Sequence, residues 1–264
     1  MKNLIESIRN RRAILFVGAG ISMNLGLPSF KELTDHLGKE LEYDPEIFSL
    51  FGEDPALAEY YLINKGTLEE LRLWMDKTFH NPKIEIGKSH IHKSIVELNF
   101  PIIYTTNYDR WLEKAFEYYK KNFVKIVTVS DFPKISSNST QIIKFHGDFD
   151  NEASIVLTES SYYERMALDS PIDTKLKCDA LGKTILFLGY SLSDVNVRYL
   201  LFKINQQWKN INNNENRPKS YIFLTRPNLI QQTILEKWGI IPIISEEDNP
   251  HDGITKFLNG LVAK

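Results

Sequence analysis

Cysteine is nearly absent from this sequence. Cys178 is the one cysteine among 264 residues, so the chain can form neither an intrachain disulfide nor a cysteine-rich zinc site. An excess of charge of one sign is also missing, because 32 lysines and arginines face 34 aspartates and glutamates. The net charge of −2 offers no overall electrostatic attraction to nucleic acid or acidic membranes. We therefore predict a chain without zinc that does not bind nucleic acid directly.

Long hydrophobic runs are missing as well. No apolar run is long enough to span a bilayer, and residues 1–12, MKNLIESIRNRR, lack the apolar core of a signal peptide. We therefore expect a cytoplasmic protein without a membrane segment. What the chain does have is a 42% hydrophobic content. At this length, that is enough for one large α/β core, or for a core and a small second module.

Short apolar runs rich in β-branched residues alternate with helical patterns along most of the chain. The runs predict strands at 13–17, 102–105, 125–129, 141–145, 154–157, 184–188, 221–225 and 240–244. Strands that alternate with helices predict an α/β fold, with a doubly wound parallel sheet and helices on both faces.

The stretch 35–95 differs from the rest because it contains helical patterns and no predicted strand. Two capping boxes, Ser29-x-x-Glu32 and Thr67-x-x-Glu70, predict helix starts in and beside it. We therefore predict one α/β domain formed by residues 1–34 and 96–264, and an inserted helical module at 35–95.

Polar residues follow four of the predicted strands. The ligand crevice of an open parallel sheet lies beyond the carboxyl ends of its strands, so these positions are the candidates for chemistry. The four segments are GAGIS at 18–22, TTNYD at 105–109, FHGD at 145–148 and GYSLSD at 189–194. Glycines allow backbone N–H groups to approach a phosphate closely, and a histidine at a strand end is placed for proton transfer.

Each segment also has a purely structural interpretation. GAGIS could be a tight strand-to-helix turn, since Met23 stands where the dinucleotide fingerprint G-x-G-x-x-G needs glycine. Asp109 could simply cap the helix that follows it, Ser193 or Asp194 could cap the helix that contains Val197, and His146 could be a structural histidine. The occurrence of all four segments in the order expected for one cleft favours a functional site.

Together the four segments resemble the sirtuin family of NAD-dependent enzymes. GAGIS and GLPSFKEL are similar to the family's G-A-G-x-S and G-I-P-D-F-R, and TTNYD is similar to T-Q-N-I-D. His146 with Gly147 resembles the catalytic H-G, and GYSLSD resembles the later G-T-S segment. The resemblance runs from Ile14 to about Asp194. It implies a Rossmann-like NAD-binding domain with a smaller inserted module.

The sequence departs from the pattern of the deacylase sirtuins at several positions, so the resemblance is to other members of the family. Ser29 and Lys31 stand where the deacylases have Asp and Arg, and the four zinc cysteines of their small module cannot exist here. The pattern is thus similar to divergent bacterial sirtuin-like domains that act as NAD glycohydrolases in anti-phage defence. That resemblance implies an enzyme that takes NAD as its substrate, without zinc, and releases nicotinamide and ADP-ribose to deplete NAD.

The resemblance also implies roles for individual residues. His146 would be the general base, Asn107 would orient the nicotinamide ribose or the attacking water, and Asp109 would engage the nicotinamide carboxamide. The implied NAD contacts are Gly18, Ala19, Gly20 and Ser22 around the pyrophosphate and adjoining ribose, Gly189, Ser191 and Thr225 along the adenosine half, and Phe30, Thr105 and Tyr190 elsewhere in the site.

Two other functions remain open. A protein deacylase or ADP-ribosyltransferase would share the NAD site, but it needs an acceptor channel that the zinc module normally frames. A non-catalytic sensor of NAD or ADP-ribose would have no need of a general base such as His146. Because an unrestrained NAD hydrolase would harm its host, the resemblance further implies a homo-oligomer regulated by a protein partner such as an ATPase.

Overall fold

One parallel seven-stranded sheet organises the part of the chain that this computed structural model describes, residues 1–190, 194–209, 217–226 and 228–263. The strands are β1 (Ala13–Val17), β2 (Ile102–Thr105), β3 (Phe123–Ile126), β4 (Thr140–Lys144), β5 (Thr184–Leu188), β6 (Ser220–Leu224) and β7 (Ile240–Ile244). Their order across the sheet is β3-β4-β2-β1-β5-β6-β7. The predicted parallel α/β sheet is therefore confirmed, and the strand order reverses between β1 and β5.

Helices cover both faces of this sheet. They are α1 (Lys2–Arg9), α2 (Ala19–Met23), α3 (Phe30–Glu40), α4 (Pro45–Phe48), α5 (Asp54–Lys65), α6 (Glu69–Phe79), α7 (His90–Glu97), α8 (Trp111–Tyr118), α9 (Glu159–Arg165), α10 (Pro171–Gly182), α11 (Val195–Lys209), α12 (Leu229–Lys237) and α13 (Pro250–Val262). Within the described residues, none of these helices combines the length and apolar composition needed to cross a bilayer.

The central strand β1 shows how the sequence builds two core layers. All five of its residues are buried, because β1 has a strand on each side and helices above and below. Successive side chains of a strand point to opposite faces. Leu15 accordingly packs in the layer that contains side chains of α1, α7, α8 and α13. Phe16 packs in the layer that contains those of α10, α11 and α12. A continuous apolar run is the pattern expected of such a doubly covered strand.

Helices α3 to α6 have an apolar cluster of their own. Its members include Leu37, Phe48, Tyr61 and Met75, together with Phe149 from the segment after β4. The apolar side chains of α7 instead join the layer beneath the sheet. The inserted module thus has its own small core, and its division from the α/β domain at 35–95 stays a prediction.

Several predicted elements match the structure residue for residue, and others are displaced. The strands predicted at 13–17, 102–105, 184–188 and 240–244 have those bounds, and β4 and β6 are shifted by one residue. The Ser29-x-x-Glu32 capping box forms and starts α3. The Thr67 box does not form, because α6 begins at Glu69 and the Thr67 hydroxyl accepts from the Glu69 N–H at 3.1 Å.

Two predicted strands differ in an informative way. The strand predicted at 125–129 is β3, which ends at Ile126, because Thr128 and Asp131 form a capping box that opens a 3₁₀ turn. The strand predicted at 154–157 is wrong. That apolar run is a buried irregular segment. Its Val156 N–H donates to the His146 carbonyl at 3.0 Å, so the segment packs against the loop that contains His146 and does not join the sheet.

Candidate active site

The glycine-rich turn after β1 lies against the turn after β5, next to the reversal of strand order. The Gly18 N–H donates to the Leu188 carbonyl at 3.1 Å, and the Gly20 N–H donates to the Gly189 carbonyl at 2.8 Å. A Cβ on Gly20 would lie 2.9 Å from the Gly189 Cα, and one on Gly18 would lie 2.4 Å from Cδ2 of Tyr190. The small residues therefore allow two loops of the protein to approach each other, and their predicted contacts with NAD stay predictions.

Asn107 and Asp109 are joined to this turn by hydrogen bonds. The Asn107 Nδ2 donates to the Gly18 carbonyl and to the Ser22 hydroxyl, each at 3.1 Å. The Ser22 hydroxyl donates in turn to Oδ2 of Asp109 at 2.8 Å. Because both Nδ2 hydrogens are engaged, the Asn107 side chain is left with its Oδ1 acceptor for a ligand. The structure thus brings four predicted site residues from the ends of β1 and β2 into one network.

Asp109 also has the structural role that its sequence position indicates. Its Oδ1 accepts from the N–H of Trp111, the first residue of α8, at 3.0 Å, and only 5% of the residue is exposed. Each carboxylate oxygen has more than one lone pair, so these contacts leave acceptor capacity. Helix capping and ligand binding are therefore compatible at this residue.

His146 lies just beyond β4 and is almost completely buried, with 2% of the residue exposed. Burial lowers the pKa of His146 to about 4, with Arg165 acting in the same direction and Asp194 and Asp173 opposing it. The imidazole is therefore neutral at neutral pH, which is the form that accepts a proton. Gly147 turns the chain here with φ +87°, and a Cβ would lie 2.1 Å from the Ser154 carbonyl oxygen.

Asp194 is the closest charged neighbour of that imidazole. Its Oδ2 lies 3.2 Å from Nε2 of His146, although the two atoms are not aligned as a hydrogen bond. Its Oδ1 accepts from the Val197 N–H at 2.9 Å and caps α11. The cap was expected from sequence. The approach to His146 was missed, because it joins residues 48 positions apart in the sequence, and no local pattern signals such a contact.

Helix α9 supplies further neighbours that sequence reasoning missed. The ring of Tyr162 meets His146 edge-on with centroids 5.2 Å apart. Arg165 lies over the Phe145 ring at 4.1 Å, donates to the Phe145 carbonyl, and forms an ion pair with Asp173 at 2.5 Å. The sequence ESSYYER offered one signal, a pair of adjacent tyrosines, of which Tyr162 contacts His146 and Tyr163 is 59% exposed.

A buried lysine, Lys144, contacts the segment that contains Asn107. Lys144, the last residue of β4, donates to the backbone carbonyl of Asp109 and lies 3.4 Å from both Glu113 and Asp148 carboxylates. Burial raises the pKa of Glu113, and Lys144 opposes that shift. The lysine therefore ties the ends of β2 and β4 together through a charged contact in the core.

The inserted module also holds this segment. The His80 Nε2 accepts from the Arg110 N–H at 2.9 Å, while the His80 Nδ1 lies 2.6 Å from Oδ1 of Asp76. The Arg110 guanidinium contacts the same Asp76 oxygen at 2.6 Å. The carboxylate can only accept, so these contacts assign the proton of neutral His80 to Nδ1. Helix α6 and the loop before α8 are thereby fixed to each other.

The remaining predicted residues are placed less centrally. Thr105 is buried and its hydroxyl accepts from the Asn107 N–H at 3.0 Å. Ala19 is exposed at the start of α2, Phe30 is 43% exposed at the start of α3, and Thr225 directly follows β6. Ser191 lies outside the described residues. The ligand contacts of all five stay predictions.

Comparison with known proteins places this arrangement in a family. The model of the SIR2-like domain matches residues 101–243, which include the Asn107, His146 and Gly189 segments. The chain belongs to the SIR2-like domain family. The sirtuin-like resemblance inferred from the four strand-end segments is confirmed.

Curated relatives of this SIR2-like domain include proteins named NAD(+) hydrolase ThsA. One from Enterococcus faecium is 33% identical over 77% of this chain and 42% of its own length, and one from Cytobacillus dafuensis is 29% identical over 77% and 40%. Defense-associated sirtuin 2 of Bacillus subtilis is 26% identical over 89% of this chain and 23% of its own length. The chain therefore spans less than half the length of these relatives.

A solved structure supports the fold of the SIR2-like domain. A Sir2 homologue crystallised as an NAD complex superposes with a TM-score of 0.52 at 12% identity, covering 99% of this chain and 95% of that one. The Rossmann-like architecture is thus shared with a distant Sir2 protein. Among the residues described for the present chain, no three His, Cys, Asp or Glu side chains form a group that could hold a metal ion.

Two open clefts of the SIR2-like domain lie away from the strand-end residues. They have volumes of about 360 Å³ and 530 Å³, and both flank the edge strand β3. The first is lined by residues such as Asn122 and Ser139, and the second by residues such as Thr128 and Asp131. None of the predicted site residues that the structure describes lines either of these two clefts.

Proposed function

We propose that this SIR2-like domain is an NAD glycohydrolase that cleaves the bond between nicotinamide and ribose. The observation that carries the proposal is the placement of Asn107 and His146. Strands β2 and β4 pair with Thr105 opposite Lys144, so Asn107 and His146 both lie two residues beyond a paired position. An amide whose Oδ1 is paired with none of the described residues, and a neutral histidine, thus follow neighbouring strands. The names of the ThsA relatives agree with this activity.

In the proposed reaction, a water oxygen attacks C1′ of the nicotinamide ribose. The bond from C1′ to the pyridinium nitrogen breaks, and its electron pair neutralises that nitrogen, so that nicotinamide leaves uncharged. His146 takes the proton of the water, directly or through a ribose hydroxyl, and later releases it to solvent. The Asn107 Oδ1 accepts from the water or from a ribose hydroxyl. Proton transfer by a positioned group contributes about 10²- to 10⁴-fold.

Asp109 supplies recognition of the leaving group in this proposal. Its carboxylate has acceptor capacity for the NH₂ of the nicotinamide carboxamide, and its bonds to Ser22 and Trp111 fix its direction. The glycine turn at 18–20 and the residues Ser22, Phe30, Thr105, Gly189, Tyr190, Ser191 and Thr225 are proposed to contact the rest of NAD. Ala19 belongs to that set because it lies at the exposed tip of the turn.

The test is to incubate the purified protein with NAD alone and to quantify nicotinamide, ADP-ribose and cyclic ADP-ribose. We expect nicotinamide and ADP-ribose from the parent, and a loss of about 10²- to 10⁴-fold in His146→Ala. His90→Ala is the matched control, since His90 is exposed at the start of α7. Release of nicotinamide only when an acyl-lysine peptide is added would contradict the proposal and identify a deacylase or transferase.

We further propose that the domain acts in the cytoplasm as a homo-oligomer whose activity a protein partner, such as an ATPase, controls. This proposal depends on the proposed activity, because unregulated NAD hydrolysis would be toxic to the host. The name of the Bacillus subtilis relative supports a defence setting. The test measures the molar mass of the protein in solution and its NAD turnover at increasing concentration. A monomer with full, concentration-independent activity would contradict this regulatory proposal.

A further inference from the structure

The two carboxylate oxygens of Asp194 contact different groups, the start of α11 and the ring of His146. Its Oδ1 accepts from the Val197 N–H at 2.9 Å, which fixes the carboxylate relative to α11. The second oxygen, Oδ2, then lies 3.2 Å from Nε2 of His146. Both groups are screened from solvent, with 10% and 2% of their side chains exposed. A helix cap needs only one of the two oxygens, and Ser or Asn would serve as well.

We propose that Asp194 is a positioning residue for His146, which holds Nε2 as the protonated nitrogen and so presents Nδ1 as the proton acceptor in NAD hydrolysis. The inference rests on the proposed function for its catalytic part. Its structural part is independent, because a neutral imidazole has one N–H and one lone pair while a carboxylate only accepts. The imperfect alignment is typical of a free enzyme, in which such bonds tighten when substrate binds.

The other charged and titratable groups around His146 do not supply the same interaction. Tyr162 meets the ring with its edge, and Arg165 and Asp173 are paired with each other at 2.5 Å. Asp194 is thus the carboxylate in direct reach of the ring. When His146 gains the proton of the water, its positive charge lies next to Asp194 in a buried setting, where a charge interaction is stronger than in water.

The test is Asp194→Asn, which keeps the helix cap and the size of the side chain but removes the charge. We expect kcat to fall on the order of 10- to 100-fold with KM within about twofold, because orientation and proton transfer change while NAD contacts do not. Asp194→Ser also keeps a cap and is expected to lose as much. The matched control is Asp44→Asn, since Asp44 caps α4 through the Glu46 N–H at 2.9 Å.

The pH profile separates positioning from capping. Asp194 raises the pKa of His146 against the larger effect of burial. Its removal should therefore move the acid limb of kcat/KM to lower pH even as the plateau falls. If Asp194→Asn and Asp194→Ser both retained parental kcat and an unmoved acid limb, the catalytic role would be refuted.

A measurement without NAD tests the contact between Asp194 and His146 independently of the proposed hydrolase activity. Nitrogen NMR of histidine-labelled protein reports the tautomer of His146, and we expect the Nε2–H form in the parent and a lower pKa in Asp194→Asn. An Nδ1–H tautomer, or a pKa that the substitution leaves unchanged, would overturn the pairing whatever the activity. The expected tautomer in a protein that cleaves NAD only when an acyl-lysine peptide is added would support the pairing and overturn the hydrolase proposal.

Discussion

The Asn107 half of the site, formed by Ser22, Asn107 and Asp109, and the His146 half, formed by His146, Tyr190 and Asp194, differ in how their polar atoms are paired. In the Asn107 half, each side chain is held by hydrogen bonds of 2.8 to 3.1 Å to another part of the protein. In the His146 half, the His146 Nε2 has no well-aligned hydrogen-bond partner among the described residues.

The difference indicates which half changes when a ligand binds. Buried polar atoms without partners cost free energy and are rare, so the unpaired His146 Nε2 at the candidate site needs an explanation. Asn196, two residues beyond Asp194, adds a fully buried amide whose oxygen and nitrogen both lack a partner among the described residues. We infer that the Asn107 half is preorganised, whereas the His146 half gains its hydrogen bonds in the bound state.

Within the Asn107 half, the largest effect is expected from Asn107→Ala. Asn107→Ala removes the donor to the Gly18 carbonyl and to Ser22, and it also removes the Oδ1 acceptor that is proposed to contact the water or the ribose. We expect NAD turnover to fall on the order of 10²- to 10³-fold, because a misplacement near 1 Å already costs about 10²-fold. Steady-state kinetics with NAD measures this loss. Asn64→Ala is the control, since Asn64 is exposed on α5 and donates only to the Tyr60 carbonyl. Equal turnover in parent and Asn107→Ala would remove Asn107 from the mechanism.

The contact between the β1 and β5 turns is tested by Gly189→Ala. Gly189 has φ +59°, and its Cβ would lie 2.7 Å from the Ile21 nitrogen, so the variant adds a backbone clash to an unfavourable conformation. Gly66→Ala is matched in φ, at +75°, but its Cβ would meet nothing within 4 Å. We expect Gly66→Ala to lower the free energy of unfolding by about 1 to 2 kcal/mol, and Gly189→Ala by about 1 to 3 kcal/mol more. Urea unfolding measures both, and equal losses would mean that the turns separate at no cost.

Two buried histidines, His92 and His146, allow the effect of protonation on stability to be measured separately from its effect on activity. Burial lowers the pKa of both His92 and His146 to about 4. The unfolded chain binds protons more readily than the folded one between about pH 6.5 and pH 4, so stability should fall as the pH falls through that range. His92→Asn should flatten this dependence and leave NAD turnover unchanged, whereas His146→Asn should flatten it and abolish turnover. Denaturant unfolding at several pH values measures the slope. A parent whose stability is constant over this range would contradict the burial argument.

The sequence predicts which residues follow each strand, because that depends on local patterns. It does not predict contacts between site residues that are distant in the sequence. The ends of β1, β2 and β5 are predicted correctly because continuous apolar runs and glycines mark them. The pairing of His146 with Asp194 is not predictable in this way, because the same Asp194 has a sufficient local explanation as a helix cap. The run at 154–157 misleads for a related reason: a short apolar segment buried under a loop has the composition of a strand.

The smallest effect is expected at Phe30. Phe30 lies at the first position of α3 with 43% of its surface exposed, so its removal takes little from the core. If it contacts NAD as proposed, Phe30→Ala should raise KM about two- to fivefold with kcat unchanged, because a partly exposed ring contributes on the order of 1 kcal/mol of binding that substrate and transition state share equally. Phe51→Ala is the matched control, since Phe51 is 64% exposed in the inserted module. A KM that is unchanged, or that moves equally in both variants, would contradict the proposed contact of Phe30 with NAD, and a kcat that falls in Phe30→Ala alone would show that Phe30 positions the catalytic residues.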